Sequence, residues 1–256
     1  MGLLTPNRIT FHHSPTPLLL PLLSGSGQSL PLPTLATSAT PSSCPLNPLL
    51  FTGHLQTAWT TISKSDTPIF YKRAVFSAQD PRFPGSFAVD FVVPANELVA
   101  DPEFPPRTSG LSEEELQGMR GEDKRPMLVA LHGLTGGSHE EYLKQIVARL
   151  QNEGQKEEGQ KGDGGALEWE VCVVNSRGCG MSKIESGVLF NGRATWDVRQ
   201  LVGWLRDRFP NRPLMGLGCS LGANILVNVR WCTLLFLLHR LLLLSAESLS
   251  PLPWFV

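Results

Sequence analysis

The sequence has no acidic residue before Asp66, no aspartate after Asp207 and no glycine after Gly222, and its net charge is only −1. Without a charge excess there is no field to hold nucleic acid. Lys and Arg are interspersed with acids rather than gathered into stripes, so no nucleic-acid partner is expected. Cysteine is sparse. Cys44, Cys172, Cys179, Cys219 and Cys232 are odd in number and show no C-x-x-C spacing, which argues against a disulfide framework. His12-His13 has no cysteine nearby, so no metal is expected, and no cofactor either. Reduced thiols in an intracellular protein are the expectation, with cytoplasmic and lipid-droplet or membrane-associated locations both left open.

Long apolar runs are missing as well. Leu18-Leu-Leu-Pro-Leu-Leu23 is too short and proline-broken to span a bilayer, and the leucine run from Thr233 to Leu244 is interrupted by His239-Arg240. Nucleotide signatures are also absent. No G-x-x-x-x-G-K-[ST] occurs, and Gly216-x-Gly218 meets Leu221 where a dinucleotide fingerprint needs a third glycine.

What is present is centred on Pro213-Leu-Met-Gly-Leu-Gly-Cys-Ser-Leu-Gly-Ala-Asn224, an apolar strand-like run ending in Gly218-Cys219-Ser220-Leu221-Gly222. G-x-S-x-G between a strand and a helix is a nucleophile elbow, in which flanking glycines admit a strained turn that lifts the serine oxygen above the sheet. Ser220 is therefore the candidate nucleophile.

Upstream, Pro68–Phe76 and Ser86–Val93 alternate in the manner of an antiparallel strand pair. Ser112-Glu-Glu-Glu-Leu116 reads as a capped surface helix. Met127–Leu131 and Trp169–Val174 read as strands buried on both faces. Ser138–Leu150 carries Tyr142, Ile146, Val147 and Leu150 at helical spacing, and Ala194–Arg208 carries Val198, Leu201, Val202 and Leu205. Asn152–Gly165 is expected to be a solvated loop. Gly53-His54-Leu55-Gln56-Thr57 is a polar knot, read either as a turn in which His54 and Gln56 satisfy local backbone groups or as part of a pocket.

The order β-β, loop, β-α-β-α-β-elbow-α predicts an α/β class: the first part of an alpha/beta-hydrolase sheet, mostly parallel with flanking helices, its last strands and helices missing. The expected organisation is a Pro/Ser-rich arm over 1–43, the hydrolase part over 44–228 and an atypical leucine-rich tail over 229–256. His132-Gly133 and Ser220 both fall at carboxyl ends of strands, so they can meet. The N–H groups of Leu221 and Leu134 are the candidate oxyanion donors. His132 precedes the nucleophile, whereas the base of an elbow enzyme follows it. Its expected task, with Gly133, is to support the oxyanion loop. Beyond the elbow the only histidine is His239 and the only acid Glu247. Neither has the strand and loop punctuation of a catalytic partner, so no catalytic Asp or His is identified.

Phe11-His-His-Ser-Pro-Thr-Pro-Leu18, Asn47-Pro-Leu-Leu-Phe-Thr-Gly-His-Leu-Gln-Thr57, Leu131-His-Gly-Leu-Thr-Gly-Gly-Ser-His-Glu140, Asn175-Ser-Arg-Gly-Cys179 and Gly218-Cys-Ser-Leu-Gly-Ala-Asn224, in this order, resemble the fungal medium-chain fatty-acid ethyl ester synthase/esterase (AB hydrolase 4) family of the alpha/beta-hydrolases, from residue 11 to about 228. The resemblance implies a serine enzyme that takes a medium-chain acyl group from an ester or acyl-CoA and passes it to water or an alcohol, with Ser220 as nucleophile and His132-Gly133-Leu134 as oxyanion support. It gives no Asp or His, and the chain is expected to be C-terminally truncated. A catalytically incomplete fragment that at most binds acyl ligands or partners is the alternative. With later strands missing, the elbow strand is expected at a sheet edge.

Overall fold

The computed structural model describes residues 7–21, 27–44, 47–62, 66–95, 101–156 and 168–229. The chain divides into two compact units, 1–65 and 66–256.

In the first unit, short antiparallel pairs join Asn7–Arg8 to Ser43–Cys44 and Leu19–Pro21 to Ser29–Pro31. Helices run over Leu32–Ala39 and Gly53–Ile62. The Gly53–Thr57 knot, expected as a turn, is thus helical. Thr52 starts that helix: its hydroxyl accepts Leu55 N–H at 3.3 Å and its carbonyl accepts Gln56 N–H at 3.1 Å. Gln56 does satisfy a local backbone group, donating to the Leu50 carbonyl at 2.9 Å.

The second unit is built on a six-stranded sheet. Alternating side chains shape Phe70–Ser77 (β1) and Ser86–Val93 (β2), which pair antiparallel from Phe70 with Val93 to Ser77 with Ser86. Thr108–Gly110 (β3) lies parallel beside β1. Glu113–Gly118 (α1) starts with a capping box in which Ser112 and Glu115 satisfy each other's backbone N–H. Then follow Met127–Leu131 (β4), Glu141–Lys156 (α2), Glu170–Asn175 (β5), Trp196–Arg208 (α3), Leu214–Gly218 (β6) and a helix over 221–229 (α4). The order across the sheet is β6-β4-β5-β2-β1-β3, with β6, β4 and β5 mutually parallel and β2 antiparallel to β5.

Period-two alternation sends successive residues to opposite faces. On one face Leu128, Ala130, Val171 and Val173 pack with Leu143 and Val147 of α2. On the other, Met127, Val129, Leu131, Cys172 and Val174 pack with Val198, Leu201 and Leu205 of α3. Over residues 141–151 of α2 the buried positions are therefore Leu143 and Val147, and Tyr142, expected in that stripe, is 38 % exposed. Helix α2 also runs on to Lys156, so residues 152–156 are helical rather than loop. The remainder of the expected loop, 157–165, lies outside the described residues. Among the described residues β6 pairs only with β4, and Met215 is 53 % exposed.

One charged pair lies inside this apolar sheet. Arg73 on β1 and Asp90 on β2 occupy facing register positions and are 3 % and 0 % exposed. They are joined by Nε–Oδ1 at 2.6 Å and Nη2–Oδ2 at 2.7 Å. The third guanidinium nitrogen, Nη1, donates to the Gly180 carbonyl at 2.7 Å. Removing one member of such a pair strands the other charge away from water. Asp90→Ala is expected to lower unfolding free energy by about 3–5 kcal/mol in urea denaturation.

Candidate active site

Ser220 sits between β6 and α4 with φ 51°, a left-handed conformation that side-chain-bearing residues rarely adopt. The glycines on either side are required by space. A Cβ on Gly218 would lie 2.5 Å from Ala223 Cα and N. One on Gly222 would lie 2.6 Å from the carbonyl oxygens of both Leu131 and His132. Helix α4 thus starts directly against the end of β4, and Cys219 N–H donates to the Leu131 carbonyl at 3.1 Å. Parallel pairing of β4 with β6, ending at Leu131 and Gly218, places the loops after both strands side by side. Ser220 is exposed at that junction.

The loop after β4 is held by its own side chains. His132 is 3 % exposed. Its Nε2 accepts Ser176 N–H at 3.0 Å, which places the proton of the neutral ring on Nδ1, and Nδ1–H donates to the Gly133 carbonyl at 2.5 Å. Both ring nitrogens are occupied. Burial pushes the His132 pKa below its ordinary 6.5, and the hydrogen bond to Gly133 opposes this only in part. Gly133 N–H donates to the Tyr142 hydroxyl at 2.9 Å. Leu134 is 67 % exposed. Leu221 is the first residue of α4, where N–H groups have no acceptor within the helix.

Farther along, Ser138 anchors the loop to the charged pair. Its Oγ donates to Asp90 Oδ2 at 2.5 Å, its N–H donates to Asn175 Oδ1 at 3.0 Å, and its carbonyl accepts Tyr71 O–H at 3.2 Å. Asn175 Nδ2 donates to the same Asp90 oxygen at 2.8 Å. The Asn175-Ser-Arg-Gly-Cys179 stretch is therefore a clamp. Asn175 and Ser176 hold the β4 loop, while Arg177 makes a bidentate pair with Asp197 at 2.9 and 2.7 Å. Arg177 also donates to the carbonyls of Pro84 and Phe83 at 2.7 and 3.0 Å. Burial raises the Asp197 pKa, with Arg177 pulling the other way. Gly137 and Gly180 touch where the two loops cross: a Cβ on Gly137 would lie 2.7 Å from Gly180 Cα.

Around Ser220 is an open cavity of about 320 Å³ lined by Gly133, Leu134, Gly136, Glu140, Tyr142, Cys219 and Ser220. A larger one of about 470 Å³ lies at Val75, Phe104 and Met181 and includes none of these residues. Ser220, Gly133 and Leu134 share the smaller cavity, Leu221 follows Ser220 directly, and His132 lies beneath the loop. His239 and Glu247 lie outside the described residues, as does the leucine-rich tail beyond Val229. Tyr142 lines the cavity although its helical spacing points to the core; no spacing or motif marks Asp90, Ser138 and Asn175 as supports. Among the described residues no group of three or more His, Cys, Asp or Glu is placed to hold a metal ion.

Residues 126–229 match the family described as alpha/beta hydrolase fold. The fold is that of the alpha/beta hydrolases. Two curated proteins of Saccharomyces cerevisiae are similar to this chain. A monoacylglycerol lipase is 35 % identical over 216 residues, 77 % of this chain and 43 % of the relative. Medium-chain fatty acid ethyl ester synthase/esterase 2 is 31 % identical over 210 residues, 72 % of this chain and 43 % of the relative. The chain thus spans less than half the length of these relatives.

The depressed His132 pKa has a consequence for stability. Its contribution is complete above the unfolded value near 6.5 and declines as pH falls from there through the folded value, because the unfolded chain takes up a proton that the buried ring resists. Urea midpoints measured between pH 7.5 and 5 are expected to fall, and His132→Gln is expected to flatten that dependence.

Proposed function

We propose that this chain carries the nucleophile and oxyanion side of a serine carboxylic-ester hydrolase, with Ser220 as nucleophile. The observation that carries the reading is Ser220 held at φ 51° between two glycines that admit no Cβ, facing the loop after β4 across one cavity. Leu221 N–H and Leu134 N–H are the oxyanion donors, and His132 and Gly133 keep the loop in shape. Ser220 Oγ bonds to the carbonyl carbon of an ester or thioester, the alcohol or thiol leaves with a proton, and an acyl-serine remains. Water then releases the acid; an alcohol releases a new ester. Hydrolysis and ester synthesis differ only in this acceptor.

The substrate class in this proposal is a medium-chain fatty acyl ester. It is supported by the relatives' names, a monoacylglycerol lipase and a medium-chain fatty acid ethyl ester synthase/esterase, and by the resemblance over residues 11 to about 228.

The proton leaving Ser220 requires a base. His132 has both nitrogens engaged, and no histidine is among the described residues lining the cavity. This favours a second reading, in which the 256-residue chain binds an acyl ester without turning it over.

One experiment separates the two. The full chain is given a p-nitrophenyl ester of a medium-chain acid beside its Ser220→Ala variant. The enzymatic reading expects product release at least about 10³-fold faster than in the variant. Equal, background rates with ester binding retained would leave the binding reading. Gly222→Ala is expected to remove activity and loosen the fold together, since its methyl would enter the space of two carbonyl oxygens; thermal unfolding and the same assay check this.

A further inference from the structure

Tyr142 is one of two tyrosines in the chain. It lies one residue into α2, on the cavity wall shared with Ser220. Adjacent residues on a helix point about 100° apart, so Leu143 enters the core at 0 % exposure while Tyr142 stays 38 % exposed.

Its hydroxyl oxygen accepts Gly133 N–H at 2.9 Å. A phenol that accepts one hydrogen bond still has a proton to donate, and among the described residues no acceptor takes it. A Cβ on Gly133 would lie 3.5 Å from the Tyr142 hydroxyl oxygen and 3.6 Å from Ser220 Cβ. The two side chains therefore approach to within about 7 Å of each other. Ser220 Oγ, a carbonyl group attached to it and one O–H···O⁻ hydrogen bond of ~2.5–2.7 Å together reach across a separation up to about that limit.

We propose that the Tyr142 hydroxyl is a third oxyanion donor, polarised by Gly133 N–H and aimed at the carbonyl oxygen of the ester attacked by Ser220. The proposal rests on the reading of Ser220 as nucleophile. As the Ser220 Oγ–carbon bond forms, the carbonyl pair moves onto oxygen, and it returns when the leaving group departs. The phenol proton stays on its own oxygen throughout. Gly133 N–H then serves the oxyanion at one remove, through a chain of two hydrogen bonds in which each strengthens the other. Burial holds the Tyr142 pKa above its usual value of 10, the Gly133 hydrogen bond opposing it in part, so the phenol remains a donor at neutral pH.

A merely structural Tyr142 would need only to accept from Gly133. The two roles separate when 3,5-difluorotyrosine is placed at 142 in the full chain, because fluorination brings phenol ionisation toward neutral pH. The phenolate accepts Gly133 N–H at least as well but has no proton to give. Leaving-group release from the p-nitrophenyl ester in the first turnover is followed against pH for the unsubstituted, fluorinated, Tyr142→Phe and Ser220→Ala chains.

The expected result is a fluorinated chain that matches the unsubstituted one at low pH and loses acylation in a single ionisation as pH rises. Tyr142→Phe is expected to lose about 10²-fold at every pH. Parallel profiles for the fluorinated and unsubstituted chains would overturn the donor role while leaving Ser220 in place. An unsubstituted chain no faster than Ser220→Ala would overturn the nucleophile reading, and the Tyr142 proposal with it. Should the Phe variant not fold, the fluorinated chain still decides.

Discussion

One carboxylate, on an interior strand, holds together the sheet on which the candidate site stands. The two oxygens of Asp90 accept from Arg73 Nε and Nη2, Ser138 Oγ and Asn175 Nδ2, so a single buried group ties β1, β2, the end of β5 and the loop after β4. A charge so far from water is tolerable only because its lone pairs are filled by donors, two of them from a cation. In return, the loop beside Ser220 is fixed to strands and cannot drift as a free surface segment would.

A second set of constraints works from the opposite side. Gly222 presses the start of α4 against the carbonyls that end β4, and His132 ties the same loop to Ser176 through the one tautomer that lets Nε2 accept. The cavity wall is thus determined twice, from the elbow and from the clamp after β5. This redundancy suits chemistry that depends on donors being in place before charge develops. Both ring nitrogens of the histidine nearest the serine are spent on these hydrogen bonds.

Much of this was legible in the letters. The β1–β2 pair, the doubly buried β4 and β5, the Ser112 cap and the α3 stripe follow from periodicity and capping, and the glycine elbow follows from spacing. Tyr142 was less accessible because Tyr142-Ile146-Leu150 and Leu143-Val147-Leu150 both satisfy helical spacing. Only packing against Leu128 and Val171 selects the second. The helical extension to Lys156 has no apolar signal to announce it, and the Thr52 cap lay just outside the knot read as a turn. The clamp was visible only as a resemblance, since Asn175 meets Asp90 and Arg177 meets Phe83 and Pro84 across long separations. Arg73 and Asp90 did leave a trace: Asp90 is the one charge in β2, and pairing the strands brings it opposite Arg73, one of two adjacent cations in β1.

The left-handed backbone at residue 220 sets the chain's stability against its reactivity at a single position. Any residue with a Cβ is strained there by roughly 1–2 kcal/mol, and glycine alone relieves that strain, less the roughly 0.5–1 kcal/mol of extra chain entropy glycine loses on folding. A search for thermostable variants would therefore drift toward glycine at the position where the proposed chemistry needs the hydroxyl. A serine kept at this position despite its conformational cost marks a place where folding alone would have chosen differently.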